Sequence, residues 1–266
     1  MSGFFGRFVW YELMTTDPAA ATAFHGAVAG WRGRDSGMPG FDYTLLSAGE
    51  AQGAPGCTDV GGVMALPEEA CAAGARPGWL GYIAVDDVDA TADRIWKAGG
   101  AVHRPPADIP GIGRFAVVAD PQGAVFALFR PAPGSGDGAP PVPPREPGRF
   151  AWHELVTDDH EAAFAFYADL FGWQALDSVD IGPMGTYRIF GRDGEAMGGM
   201  MNRCEGMPGP FWLYYVMVDG IDAAAERVKA GGGTVINGPM EVPGGSWIIQ
   251  CLDPQHAPFA LVGPRS

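Results

Sequence analysis

An α+β fold built from a repeated strand–helix–strands unit is what this sequence predicts, and three observations predict it. The chain repeats itself: Gly6-Arg7-Phe8-Val9-Trp10-Tyr11-Glu12-Leu13 returns as Gly148-Arg149-Phe150-Ala151-Trp152-His153-Glu154-Leu155. Within each copy, β-rich runs and capped helical runs alternate in a constant order. The 41 glycines and 24 prolines among 266 residues suit many turns and short strands better than a helical bundle.

The repeat extends well beyond its first match. Gly30-Trp31 is answered by Gly172-Trp173, Val85-Asp86 by Val218-Asp219, and Asp120-Pro121-Gln122 by Asp253-Pro254-Gln255. Pro131 to Gly148 is a Pro-, Gly- and Ser-rich run of linker composition, stiffened by its prolines. The expected organisation is therefore a first domain over residues 1–130, a linker over 131–148 and a second domain over 149–266.

Each domain reads as two units of similar layout. Phe8 to Thr15 is β-rich, and Asp17-Pro18 supplies a helix N-cap and a first-turn proline. A helical run from Ala19 to Ala29 stops at Gly30, and strand-like runs follow near Tyr43–Ser47 and Gly62–Leu66. The second unit opens at Leu80–Val85. Asp87 caps a helix through Ala98 that stops at Gly99-Gly100. Phe115–Ala119 and Val125–Phe129 close the unit as strands joined by the turn Asp120-Pro121-Gln122-Gly123. The same order recurs from Phe150 and again from Phe211.

Composition excludes several function classes. Asp and Glu outnumber Lys and Arg 31 to 17, a formal charge of −14 that repels nucleic acid and anionic membrane surfaces, and no local basic cluster offsets it. No apolar run approaches a membrane span, and the N-terminus lacks a basic region followed by an apolar stretch, so cytoplasmic localisation is expected. Cys57, Cys71, Cys204 and Cys251 form no Cys-x-x-Cys pair and read as reduced structural thiols. No phosphate loop, dinucleotide fingerprint, serine-nucleophile elbow or zinc ribbon is present.

Four motifs in constant order carry a resemblance over nearly the whole chain. They are Glu-Leu-x-Thr-x-Asp at the end of the opening strand, Phe166-Tyr167 to Phe171-Gly172-Trp173 at a helix exit, Tyr82-Ile83-Ala84-Val85-Asp86-Asp87-Val88-Asp89 before a helix, and the Asp-Pro-Gln turn. In these the chain resembles the vicinal-oxygen-chelate superfamily, which includes glyoxalases, extradiol dioxygenases, and fosfomycin- and bleomycin-resistance proteins. The resemblance implies tandem glyoxalase-like domains. Each would be two βαβββ modules whose curved, mostly antiparallel sheets form a cup. Metal-using members hold an ion in that cup on His, Glu or Gln at fixed positions. Here those positions carry Trp10 and Trp152 in the opening strands, Leu80 and Leu213 in the second-unit strands, and Ala127 and Ala260 in the closing strands. The fourth falls in Gly62-Val63-Met64 and Gly199-Met200-Met201. None offers the imidazole, carboxylate or thiolate that a divalent ion binds at about 2.0–2.6 Å. A metal-free protein with no cofactor is expected. His25, His103, His153, His160 and His256 read as hydrogen-bonded surface or boundary residues, His153 pointing away from the Trp152 face.

Period-2 alternation puts Phe8, Trp10 and Glu12 on one face of the opening strand, and Phe150, Trp152 and Glu154 on the same face of its copy. By resemblance that face is the cup. Trp10 and Trp152 can stack on a flat ligand, or fill the space the ion leaves. Glu12 and Glu154 are candidate general bases, or else structural ion-pair partners of Arg7, Arg149 or another arginine. Tyr43, Tyr187, Trp79 and Trp212 are further candidates for the cup wall. Arg114, copied as Trp247, is a candidate for an anionic ligand or a solvated edge residue.

The expected function is binding of a small apolar or aromatic molecule in a Trp-lined cup, by a monomer or homodimer with no nucleic-acid or membrane partner. The alternatives are a metal-dependent lyase, isomerase or dioxygenase using unorthodox ligands, and a degenerate interaction scaffold. The sequence leaves open whether modules pair within or across the domains.

Overall fold

A computed structural model describes residues 4–49, 57–133, 146–207 and 209–265. Most of the run read as a linker lies outside these residues. In chain order the elements are β1 (Phe8–Thr15), α1 (Pro18–Ala29), β2 (Arg32–Asp35), β3 (Thr44–Ala48), β4 (Thr58–Ala65), α2 (Glu68–Ala72), β5 (Gly78–Ala84), α3 (Val88–Lys97), β6 (Ala101–Ile109), β7 (Gly113–Ala119) and β8 (Val125–Pro131). The second half repeats the plan with β9 (Phe150–Thr157), α4 (His160–Phe171), β10 (Gln174–Asp180), β11 (Thr186–Arg192), β12 (Glu195–Asn202), β13 (Phe211–Met217), α5 (Ile221–Ala230), β14 (Thr234–Val242), β15 (Ser246–Leu252) and β16 (Pro258–Gly263).

The strands make two eight-stranded sheets, ordered β2-β3-β4-β1-β5-β8-β7-β6 and β10-β11-β12-β9-β13-β16-β15-β14. Each is two four-stranded modules joined edge to edge, as expected of an α+β protein made of βαβββ modules. Within a module the opening strand pairs in parallel with the closing one, as Glu12 with Gly62 and Glu154 with Gly199, because the helix carries the chain back.

Local signals act as read. The Asp17 carboxylate accepts from Ala20 N at 3.0 Å, and Gly30 closes α1 at φ 74°. Asp159 and Gly172, at φ 69°, do the same for α4. In the Asp-Pro-Gln turns Asp120 accepts from Gln122 N and Ala124 N, both at 2.9 Å, and Asp253 is bonded in the same way. His256 takes φ 66° where Gly123 takes φ 100°.

The outermost strands β2, β6, β10 and β14 were not read from the sequence. β6, Ala-Val-His-Arg-Pro-Pro-Ala-Asp-Ile, shows why: it is an edge strand, largely exposed, with two prolines and two register shifts, so neither alternation nor a buried run marks it.

Packing divides the chain into two compact units that do not follow the repeat. One comprises Met1–Trp10, Leu80–Val142 and Trp152–Leu213; the other comprises Tyr11–Trp79, Pro143–Ala151 and Tyr214–Ser266. Each unit thus draws one helix-bearing module from either repeat. In the first unit the core holds Phe126, Tyr167, Phe171, Trp173, Phe190 and Trp212. In the second, Phe24, Trp31, Trp79 and Phe259 gather around His25.

Candidate functional site

Strand β9 sets Trp152 and Glu154 two residues apart, so both side chains leave the same face. Strand β11 brings in Tyr187. Its hydroxyl accepts from Trp152 Nε1 at 2.7 Å and donates to Glu154 Oε2 at 3.1 Å, linking the three into one chain. Glu154 is 6% exposed, while Trp152 and Tyr187 are half-buried. Burial first, then the negative charge of Glu154, pushes the Tyr187 phenol well above its ordinary pKa. The phenol therefore stays protonated and serves as a donor to the carboxylate.

A glycine makes room for this arrangement. Gly199 of β12 pairs with Glu154, and a Cβ built on it would lie 2.0 Å from Tyr187 Cε1 and 2.5 Å from its oxygen. The ring lies directly over the bare backbone. The other unit repeats the juxtaposition: Gly62 pairs with Glu12, and a Cβ there would lie 2.0 Å from the Tyr43 hydroxyl. Gly62 and Gly199 lie inside β4 and β12 and allow close approach of an aromatic ring.

Other expected wall residues are placed elsewhere. Trp212 is core: Nε1 donates to the Tyr167 hydroxyl at 3.1 Å, and Tyr167 donates to Asp120 Oδ2 at 3.0 Å. Trp79 is core too, 9% exposed and packed edge-on to His25, Trp31 and Phe150. Both sit where aromatic burial is densest, so their rings pack and do not line a cup. Arg114 is held by Asp89 through Nε and Nη2, at 2.6 and 2.8 Å, and by Asp108 at 2.9 Å, which spends its guanidinium on exposed carboxylates. The ring of Trp247 faces the Arg265 guanidinium at 4.3 Å.

The Phe8 ring stacks on His153 at 4.1 Å and packs near Trp173 and Trp212, while Phe150 stacks on Tyr11 at 3.7 Å. The histidines are not all at the surface. His153, 8% exposed, bonds the Met197 carbonyl at 2.6 Å through Nδ1, and burial lowers its pKa to about 4. His25, 2% exposed, lies 3.4 Å from Asp253, and His160 is buried against Asn202.

Arg7 bonds Glu195 at 2.6 Å, and Arg149 lies 3.9 Å from Glu146. Among the described residues, no three His, Cys, Asp or Glu side chains gather so as to hold a metal ion. Leu80, Leu213, Ala127 and Ala260 are buried, and their side chains carry no donor for a divalent cation.

Residues 149–261 match the model of the glyoxalase/bleomycin resistance protein/dioxygenase superfamily, and residues 10–129 match that of a glyoxalase-like domain. A Mycobacterium bovis protein named "Putative glyoxylase CFP32" is 35% identical over 96% of this chain and 94% of its own. The anthracycline biosynthesis protein DauV of Streptomyces sp. is 32% identical, covering 98% and 94%. The Mn(II)-bound glyoxalase of Novosphingobium aromaticivorans is similar in fold, with a TM-score of 0.60 at 19% identity, over 98% of this chain and 82% of that one. No helix among the described residues is long and apolar enough to cross a membrane.

Proposed function

The chain belongs to the glyoxalase/bleomycin resistance protein/dioxygenase superfamily, and on that premise we propose that it binds a small, flat aromatic or apolar molecule beside Trp152, Tyr187 and Glu154 without using a metal ion. The hydrogen-bonded chain from Trp152 through Tyr187 to Glu154 carries this reading. An indole offers a stacking face, and a carboxylate in aromatic surroundings accepts a ligand N–H or O–H. Glu154 is also proposed as a general base. Tyr187 fixes both partners, so the ligand meets groups that are already oriented. Glu12 and Tyr43 are proposed to serve a second, unequal cup in the same way. Relatives named as anthracycline biosynthesis proteins support the ligand class, since an anthracycline is a flat, hydroxylated ring system.

The test is a panel of planar phenols, quinones and apolar aromatics, followed by tryptophan fluorescence and by melting temperature. A saturable response is expected, weakened about tenfold or more in Glu154→Gln and in Trp152→Leu. No response across chemically varied compounds would end the proposal. A stoichiometric metal ion that disappears in Glu154→Ala would replace it with a metal-dependent lyase, isomerase or dioxygenase.

A further inference from the structure

Strands β5 to β8 and their copies β13 to β16 share one plan, and a single row across each shows where they part. Arg104 pairs with Val117, Val117 with Ala127 and Ala127 with Tyr82. In the copy Asn237 pairs with Gln250, Gln250 with Ala260 and Ala260 with Tyr215. The copy's row is a chain of polar groups: Asn237 donates to Gln250 at 3.2 Å, and Gln250 donates to the Tyr215 hydroxyl at 2.9 Å. Valine at the position of Gln250 leaves Arg104 without that amide neighbour.

Three further residues of the same face change with it. Phe115 stands for Ile248, Phe129 for Val262 and Gly113 for Ser246. Phe115 and Phe129 are paired across β7 and β8, and each ring centre lies 6.4 Å from that of Tyr82. A Cβ on Gly113 would lie 2.8 Å from the Phe129 ring, so the glycine gives that ring its place. Arg104 sits between two register shifts of β6, and its guanidinium carbon lies 4.7 Å from the centre of the Phe115 ring. Four successive strands thus supply Tyr82, Phe129, Phe115 and Arg104, three rings with a cation at their outer edge. Among the described residues the Arg104 guanidinium meets no carboxylate or carbonyl, and Asp108 of the same strand is engaged by Arg114 at 2.9 Å. Arg104 is exposed and Phe129 half-buried, so this edge is reached from solvent.

We propose that this face binds a planar aromatic carboxylate, with its ring against Phe129 and its carboxylate on Arg104. Stacking on Phe115 orients the guanidinium in advance, and its planar fork matches a carboxylate with two parallel hydrogen bonds. The formal charge of −14 repels anions from the chain as a whole, so an anion held here depends on a local cation. The site uses none of Trp152, Tyr187 and Glu154 and does not depend on the function proposed for them.

The full chain is titrated with 2-naphthoate by calorimetry and by ligand-observed NMR at millimolar concentration. The neutral match is 2-naphthamide, and acetate is the carboxylate without a ring. Saturable binding of 2-naphthoate is expected, with the other two about tenfold weaker or more. Arg104→Gln and Arg104→Lys should each weaken it about tenfold, the lysine because it keeps the charge without the fork. Phe129→Val, which installs the residue of the copy, should bring 2-naphthoate toward acetate; should it not fold, the two variants of exposed Arg104 carry the comparison. Arg130→Gln removes an exposed cation from β8 and should change nothing. Equal binding of 2-naphthamide, undiminished binding in either Arg104 variant, an equal loss in Arg130→Gln, or no saturation overturns the proposal. So does binding that Trp152→Leu removes and Arg104→Gln leaves intact, which would place the ligand at the other site.

Discussion

Replacing Gly199 by Ala should disconnect Tyr187 from both its partners. The added methyl would lie 2.0, 2.2 and 2.5 Å from Cε1, Cζ and the hydroxyl oxygen of the ring, well inside the roughly 3.5–4.0 Å of an ordinary carbon contact. The ring must move by more than about 1 Å, and a hydrogen bond of 2.7 Å to Trp152 and one of 3.1 Å to Glu154 cannot survive that shift. One is a neutral bond and the other charge-assisted, together about 2–4 kcal/mol, to which overpacking adds about 1–3 kcal/mol. A loss of about 3–7 kcal/mol is expected by urea unfolding, with loss of ligand response in the fluorescence assay. A double-mutant cycle with Tyr187→Ala gives the decisive reading. Removing the ring removes the clash, so Gly199→Ala should cost far less in that background. Gly198→Ala is the control, since its methyl would strike the His153 carbonyl at 2.0 Å and should cost much the same with or without the ring. Additive energies for Gly199 and Tyr187 would refute the reasoning.

Acid should weaken the fold through His153. Burial lowers its folded pKa from 6.5 to about 4, so between those values the unfolded chain binds a proton that the folded chain does not, and stability falls as pH falls. The window is worth about 3 kcal/mol, and urea unfolding from pH 7 to pH 4 should show a shallower slope in His153→Phe; equal slopes would remove the assignment. Tyr167→Phe removes the hydroxyl that accepts from the Trp212 indole N–H at 3.1 Å and donates to Asp120 Oδ2 at 3.0 Å, leaving Asp120 its two backbone bonds, and should cost about 2–4 kcal/mol in the same assay. Burial pushes the Cys251 thiol up to about 12, so a thiol reagent at pH 8 should label exposed Cys71 in the folded protein and reach Cys251 only on unfolding. Labelling of Cys251 in the folded state would contradict its placement.

The residues that announced themselves in the sequence did so through local chemistry. Asp17-Pro18 and Gly30 frame α1 because a carboxylate cap and a left-handed glycine act within one turn of the backbone. Trp152 and Glu154 share a face because two residues is the period of a strand, and Tyr187 joins them on the strand expected to line the same surface. What stayed hidden depends on partners distant in sequence. The exposed, proline-bearing β6 has no pattern of its own and becomes a strand by pairing with β7. Trp79 and Trp212 look like cup residues until His25 and Tyr167 close on them from other elements. The purpose of Gly199 is visible only with Tyr187 laid over it, although a glycine inside an apolar strand run already signals close approach.

Because each compact unit takes a module from either repeat, a residue and its copy answer to different neighbours. Tyr167 and its copy His25 both reach the carboxylate of an Asp-Pro-Gln turn, Tyr167 that of Asp120 and His25 that of Asp253. In each case the aromatic comes from one repeat and the carboxylate from the other. A phenol in one unit can therefore become an imidazole in the other without disturbing the first, provided the local aspartate is kept. The same logic accounts for Arg192, which bonds the Phe171 carbonyl at the end of α4, and for Ala48 at the matching register position. Contacts across the repeats tie the two copies into one structure while leaving each unit free to change its interior. That freedom is what lets a buried phenol stand in one unit where a buried imidazole stands in the other, on a backbone plan that hardly differs between them.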